Sequence, residues 1–180
     1  MYLKKHNIES EYLSDYLNPV HFEHIKKNKK NIILYNPVKG TKTTQRLIAN
    51  NTEFKFIPLE KLNSKEVQNL FNESKLYIDF GNHPGKDRMP REAVMADCCL
   101  ITGKRGSAEN NVDIPIPEQY KFDDRKDLDN DLFKKTVNDL FSNYDMAIKD
   151  FYSYKEIIKK EKENFQKQVY EIFTKLINVK

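Results

Sequence analysis

Three short segments of this 180-residue chain combine glycine with basic side chains, and they are the best candidates for anion chemistry. They span 36–40, 81–92 and 102–109, and together they hold all five glycines of the sequence. Glycine lets backbone N–H groups approach a ligand closely, and lysine or arginine supplies the positive charge that a phosphate requires. These segments predict a phosphate-binding surface, provided that the fold brings them together.

The first segment joins an apolar run to the start of a predicted helix. Free backbone N–H groups and the helix dipole favour an anion at such a position, and Lys39 adds positive charge beside Gly40. The glycine–lysine spacing of a Walker A loop is absent, so this segment is not that motif. An ordinary strand-to-helix turn is the alternative interpretation of the same residues.

The second segment is the richest in charge. Lys86, Arg88 and Arg91 lie within six positions, and the planar guanidinium fork suits the oxygens of a diphosphate. Glu92 lies at the start of a predicted helix, where its two oxygens could accept hydrogen bonds from the hydroxyls of a ribose. The alternative is that Lys86 is a solvated charge, that Asp87 caps the helix, and that both arginines pair with these carboxylates.

The third segment and the histidines are weaker candidates. Backbone N–H groups around Gly106 and Ser107 can form an anion-binding nest, although such a turn is a weak signal on its own. His83 could act as an acid or a base, but a single loop histidine is more often structural. His21 and His24 are three residues apart with no third ligand beside them, so we predict no metal site and no resident cofactor.

Apolar runs alternate with helical patterns between residues 31 and 102, which is typical of repeated strand–helix units. The predicted strands are 31–35, 54–58, 75–80 and 98–102, and the predicted helices are 41–50, 63–71 and 91–96. We therefore predict an α/β fold, with a Rossmann-like parallel β-sheet flanked by helices and followed by C-terminal helices. Ligands bind beyond the carboxyl ends of parallel strands, which is where the three basic segments fall.

The pattern divides the chain into three parts. Residues 1–30 have apolar residues at helical spacing over 12–17, which predicts a helical lead followed by a basic connector. Residues 31–126 form the predicted Rossmann-like domain, and residues 127–180 form helices that pack on it. The apolar stripe of the last helix also favours self-association of the chain.

Composition and charge exclude several classes of protein. The net charge is +4 and basic residues are interspersed with acidic ones, so a dedicated nucleic-acid domain is disfavoured. The aromatic residues fall mostly in predicted core positions, which also argues against base stacking. Cys98 and Cys99 are adjacent, which excludes a disulfide framework and makes the cytoplasm the default location. No apolar run of about 18 residues occurs, so we predict no transmembrane segment.

Three stretches resemble the C-terminal, nucleotide-sugar-binding half of a GT-B glycosyltransferase. Residues 37–40, Pro-Val-Lys-Gly, are similar to the strand–Lys-Gly–helix element of that family. Residues 90–102 resemble its Glu-Ala helix-to-strand element, and residues 103–109 resemble the Gly-Gly-x-x-Glu turn that follows. The longer string 77–92 resembles that of bacterial glycosyltransferase-like proteins from surface-polysaccharide loci.

The resemblance implies a nucleotide-diphosphate sugar as the ligand and metal-independent chemistry. It implies that Glu92 contacts the ribose of the donor. It also implies that Lys39 holds the donor diphosphate. Together with the charge and glycine arguments for the three segments, this predicts a diphosphate site formed by Lys39, Gly40, Lys86, Arg88, Gly106 and Ser107. We expect such a protein in the cytoplasm, or peripherally at the inner face of the membrane.

The sequence also departs from the family pattern. The position seven residues before Glu92 holds Pro84 rather than a second glutamate, and Asp97 stands where the family usually has glycine. A GT-B enzyme has two halves, and the chain has room for the second, so activity would require an N-terminal acceptor half or a partner subunit. The alternative is a non-catalytic Rossmann-like module that binds a nucleotide or another protein.

Overall fold

Five parallel strands form one sheet in the order β2-β1-β3-β4-β5. The structure, a computed structural model, describes residues 3, 6–22, 28–125 and 128–178. The strands are β1 (Lys30–Tyr35), β2 (Lys55–Pro58), β3 (Ser74–Asp79), β4 (Cys99–Gly103) and β5 (Lys121–Phe122). The predicted α/β fold with a Rossmann-like parallel sheet is therefore confirmed, and β5 is a strand that the prediction lacked.

The central strands are buried on both faces, which explains why they were recognisable as apolar runs. Every residue of β4 is buried, as are Ile33 and Leu34 in β1 and Tyr77 and Ile78 in β3. The register pairs Tyr77 with Leu100 and Ile78 with Ile101, so the sheet itself forms the centre of the core.

The described helices are α1 (Thr41–Asn50), α2 (Ser64–Glu73), α3 (Arg88–Met95), α4 (Asn130–Ser142), α5 (Tyr144–Ala147) and α6 (Tyr152–Asn178). Short 3-10 helices occupy Pro19–Phe22, Ser107–Glu109, Glu118–Tyr120 and Ile148–Phe151. Local sequence sets several of the starts. Asn63 and Glu66 form a capping box at α2, and the Asp129 side chain accepts from two backbone N–H groups of α4.

The strand order changes direction once, between β1 and β3. Because parallel crossovers are right-handed, this reversal places α1 on one face of the sheet and α2 and α3 on the other. The C-terminal helices pack on both sides. The Asn51 side chain donates to Asn130 of α4 at 2.7 Å, and Arg91 of α3 pairs with Glu161 of α6 at 2.8 Å.

The predicted helical lead is wrong for residues 8–18, which have no helix. This segment crosses α6 instead, where the backbone N–H and the hydroxyl of Ser14 both donate to Gln168, at 2.9 and 2.8 Å. Leu17 inserts into the core, so long-range packing outweighs the helical spacing. Residues 23–27, including His24, lie outside the described residues.

Helix α3 begins three residues earlier than predicted, at Arg88, and ends in a left-handed residue. Asp97 has φ +55°, and the N–H groups of Asp97 and Cys98 donate to Val94 and Ala93. This is the Schellman arrangement, in which glycine is the usual residue at the position of Asp97. Among the described helices, none is both long and apolar enough to cross a membrane.

Candidate functional site

The three basic segments meet at one edge of the sheet, because the strands that precede them are parallel. The backbone N–H of Ser107 donates to the carbonyl of His83 at 2.8 Å, and its hydroxyl donates to the carbonyl of Gly85 at 2.5 Å. A parallel bridge joins His83 to Gly106. Lys39 of the first segment forms an ion pair with Asp87 of the second. The structure thus brings together all three segments that the sequence singled out.

Two glycines make this close approach possible. Gly40 has φ +57°, and a Cβ there would lie 2.4 Å from the backbone of Phe80. Gly106 has φ +60°, and a Cβ there would lie 2.1 Å from the carbonyl oxygen of His83. Both positions combine a left-handed backbone with a neighbouring main chain, so an alanine at either one would force the segments apart.

The N-terminus of α1 lies at the reversal point of the sheet, beside the end of β3. Gly40 precedes the helix and has no side chain to cap it, and no described side chain takes that role. The first N–H groups of a helix have no partner within the helix. They give α1 a partial positive charge that faces the crevice between β1 and β3, where doubly wound sheets bind ligands.

A buried cluster of charge lies next to this helix start. His83 is 1% exposed, and its Nε2 lies 3.3 Å from Asp79 while its Nδ1 lies 3.1 Å from Asp87. Neither ring nitrogen makes an aligned hydrogen bond to any described residue, so these contacts are electrostatic. Asp79 is itself oriented by the Tyr77 hydroxyl and by the N–H of Gly81, each donating at 2.9 Å.

The two carboxylates determine the charge of the histidine. Burial alone would lower the pKa of His83, but the contacts with Asp79 and Asp87 outweigh it and raise the pKa to about 9. The contact with His83 lowers the pKa of Asp87 to about 2 against the effect of burial, and Lys39 adds to this decrease. At neutral pH His83 is therefore an imidazolium and Asp87 a carboxylate.

Asp87 occupies the position that would cap α3, yet its side chain makes no capping hydrogen bond. Its carboxylate is directed to Lys39 and His83 instead. The alternative interpretation, in which Asp87 caps the helix, therefore does not hold, because two cations compete for the carboxylate. As a result, the edge carries a second helix N-terminus, that of α3, which no described side chain caps.

The other cations of the second segment also have carboxylate partners. Lys86 lies 3.5 Å from Glu161, and Arg91 is completely buried and bonded to Glu161 and to Asp15. The Arg88 Nε donates to Glu92 at 2.9 Å, but the Arg88 side chain is 70% exposed. Its terminal nitrogens make no hydrogen bond to the described residues, so the guanidinium fork is oriented and open.

Glu92 lies deeper than a ribose-binding carboxylate would need to be. It is 5% exposed, and its Oε1 is contacted by Arg88 and, at 3.4 Å, by the Nε2 of His21. His21 belongs to the 3-10 helix Pro19–Phe22, which covers this part of α3. In this arrangement Glu92 holds Arg88 in place.

The sequence did not point to two polar residues of this edge, Asp79 and Asp124. Asp124 follows β5 and accepts two hydrogen bonds from the Arg105 Nε, at 2.8 and 3.0 Å, and one from the Thr43 hydroxyl at 3.1 Å. The signal for Asp79 was its place one residue before the end of the predicted strand 75–80. Asp124 had no such signal, because β5 has two residues.

The described surface also has a groove of about 440 Å³ away from the three segments. It lies against α4 and α5, with Leu132, Thr136 and Met146 among its lining residues. None of its lining residues belongs to the three segments. The groove is therefore not part of the candidate site.

The carboxyl edge can perform electrostatic chemistry on an anion. It offers two helix N-termini, one open guanidinium and an ammonium group held by a carboxylate, which together suit the oxygens of a phosphate.

Comparison with protein-family models gives no match, and comparison with curated proteins gives none either.

Proposed function

We propose that the chain is a donor-binding module that holds the diphosphate of a nucleotide sugar at the carboxyl edge of its sheet. In this proposal it serves a glycosyltransferase of the GT-B kind, which transfers the sugar to a glycan or lipid acceptor. The acceptor site would belong to an N-terminal half or to a partner subunit. Such a module would work in the cytoplasm or at the inner face of the membrane.

One observation carries the proposal: two uncapped helix N-termini and the open fork of Arg88 share one edge. The starts of α1 and α3 are linked through the Lys39–Asp87 pair, so both partial positive charges lie beside the reversal point of the sheet. Arg88 is the first residue of α3, and Glu92 fixes its Nε while its terminal nitrogens face solvent. A diphosphate has the charge and the paired oxygens to bridge these groups.

The ion pairs define what the ligand must rearrange. Lys39 would leave Asp87 for a phosphate oxygen, whereas Arg88 can bind through its free nitrogens and keep Glu92. These cations would then stabilise the negative charge that develops on the leaving diphosphate. For Glu92 to bind the ribose, as the resemblance implies, His21 and its 3-10 helix would have to move.

The Asp97 backbone supports the resemblance. The family usually has glycine at this position, and here the residue has φ +55°, a conformation that glycine adopts without strain. The helix-to-strand element thus keeps the turn that a glycine would make, although its residue differs.

Calorimetric titration with UDP, GDP and their sugars tests the proposal. We expect binding with a Kd in the micromolar range or weaker, and we expect Arg88→Gln to weaken it roughly tenfold or more, because a charge-assisted pair contributes about 1.5–3 kcal/mol. Lys167→Gln is the matched control. Lys167 is 65% exposed and Arg88 is 70% exposed, and each pairs with a glutamate four residues away on its own helix, Glu163 and Glu92 respectively. A folded wild-type chain that binds none of these nucleotides would contradict the proposal, as would equal affinity of the two variants.

A second candidate is a non-catalytic scaffold, and one observation favours it. Every described cation of the three segments has a carboxylate partner within the chain; the pairs are Lys39–Asp87, Lys86–Glu161, Arg88–Glu92, Arg91–Glu161, Lys104–Glu118 and Arg105–Asp124. In this case the exposed Tyr170 and Phe173 of α6 would bind another protein or a second copy of the chain. A stable oligomer in light scattering that nucleotides leave unchanged would favour the scaffold.

A further inference from the structure

We infer that Asp79, His83 and Asp87 form a site for a first-row divalent metal ion. One ligand atom from each residue, a ring nitrogen and two carboxylate oxygens, lies within 4.8 Å of the other two. A tetrahedral ion with bonds of about 2.0–2.2 Å needs ligands about 3.4 Å apart, so side-chain movements of about 1 Å would complete the site. This inference concerns the free chain and does not depend on a nucleotide.

The burial and the hydrogen bonding of His83 indicate a ligand. His83 is 1% exposed, and each of its nitrogens lies within 3.3 Å of a carboxylate oxygen, yet neither makes an aligned hydrogen bond to any described residue. Buried polar groups are nearly always hydrogen-bonded, and an imidazole set between two carboxylates without aligned bonds is an exception to that rule. A metal ion bound to one ring nitrogen would satisfy that nitrogen, while the N–H of the other ring nitrogen donates to the remaining carboxylate oxygens.

The surroundings supply the supports that metal ligands have. The Tyr77 hydroxyl and the Gly81 N–H each donate to Asp79 at 2.9 Å, so both oxygens of this carboxylate are oriented. Asp87 is the more exposed of the two carboxylates, which gives the ion a path from solvent. A carboxylate accepts several bonds, so Asp87 can keep Lys39 on one oxygen and bind the ion with the other.

The donor set selects the class of ion. One imidazole with two carboxylates suits Zn²⁺, Mn²⁺, Fe²⁺ or Co²⁺, whereas Mg²⁺ and Ca²⁺ prefer oxygen ligands alone. Two carboxylates balance the charge of a divalent ion, and the ion binds the imidazole of His83 in its neutral form. Three protein ligands also leave at least one coordination position open to water or to another small ligand.

The test is titration of the chelator-treated full chain with Zn²⁺, and separately with Co²⁺, in the absence of nucleotide. We expect one Zn²⁺ per chain by calorimetry, a higher melting temperature with the ion, and the visible absorption band of Co²⁺ bound by nitrogen and oxygen ligands. His83→Gln should weaken Zn²⁺ binding by at least about tenfold. The matched control is His21→Gln, because His21 also lies near a carboxylate, Glu92, yet has no place in the trio.

Two further measurements keep the test decisive if His83→Gln fails to fold. Asp87→Asn changes a ligand that is partly exposed, and it should weaken Zn²⁺ binding while the chain stays folded by circular dichroism. The Co²⁺ spectrum of the wild-type chain requires no variant. The inference is overturned if the wild-type chain binds no stoichiometric ion, if His83→Gln or Asp87→Asn binds like the wild type, or if the Co²⁺ spectrum shows sulfur ligands. Because no nucleotide is present, none of these results bears on the proposed donor site.

Discussion

Replacement of Lys29 by methionine should destabilise the protein far more than the same change at Lys30. The Lys29 ammonium donates to three carbonyl oxygens, those of Phe71 at 2.8 Å, Ser74 at 3.0 Å and Ala96 at 2.6 Å. These carbonyls lie at the C-terminal ends of α2 and α3. One cation therefore neutralises the negative ends of two helix dipoles just before β1 begins.

The size of the effect follows from these contacts. A hydrogen bond that involves a charged group contributes about 1.5–3 kcal/mol, so three of them would contribute roughly 4.5–9 kcal/mol before the cost of burying the ammonium is subtracted. Burial of the ammonium opposes this, as the lowered pKa of Lys29 shows. We therefore expect Lys29→Met to lower the free energy of unfolding by about 2–4 kcal/mol. Lys30 is exposed and pairs with Glu73, so Lys30→Met should cost at most about 1 kcal/mol.

Urea unfolding followed by far-ultraviolet circular dichroism measures both values on the same protein. The two variants change the same side chain at neighbouring positions, so their unfolded chains are closely matched. If Lys29→Met were no more than about 0.5 kcal/mol less stable than Lys30→Met, the ammonium would not act as a shared cap of the two helices.

Two further predictions concern the core and the junction of the segments. Gly106→Ala should destabilise the fold by more than about 2 kcal/mol in urea, because the new Cβ would meet the His83 carbonyl, whereas Gly85→Ala should have little effect because no atom lies within 4 Å of its Cβ position. Equal stabilities would contradict the tight junction. Cys98 and Cys99 should not react with a thiol reagent at pH 8 until the chain unfolds, because burial raises both thiol pKa values, that of Cys98 to about 12, and keeps them protonated. Rapid labelling of the folded chain would show that the two thiols are accessible to the reagent.

Much of the fold could be predicted because its central strands are buried on both faces. Runs such as 31–35 and 98–102 contain little besides apolar residues, and their bounds agree with β1 and β4 within about one residue. The segment 12–17 also has apolar residues at helical spacing, but its conformation depends on contacts with α6. Such contacts, made across more than a hundred residues, leave no local pattern.

The meeting of the three segments could also be predicted, since parallel strands place their carboxyl ends at one edge. The acidic side chains that pair with the basic residues of these segments could not be predicted. Lys86 and Arg91 both find Glu161, about seventy residues away on a helix with many other acidic side chains. The contacts of His83 with two carboxylates could not be predicted either. Asp79 and Asp87 lie four residues to either side of His83, one at the end of a strand and the other at a helix start.

If the carboxyl edge holds a diphosphate, nuclear magnetic resonance of the ¹⁵N-labelled chain locates the ligand directly. On titration with UDP, the largest shifts should fall on the backbone amides of residues 40–43 at the start of α1 and of Arg88 and Met89 at the start of α3. Shifts confined to the groove beside α4 and α5, or no shifts at millimolar UDP, would show that the carboxyl edge does not bind the diphosphate.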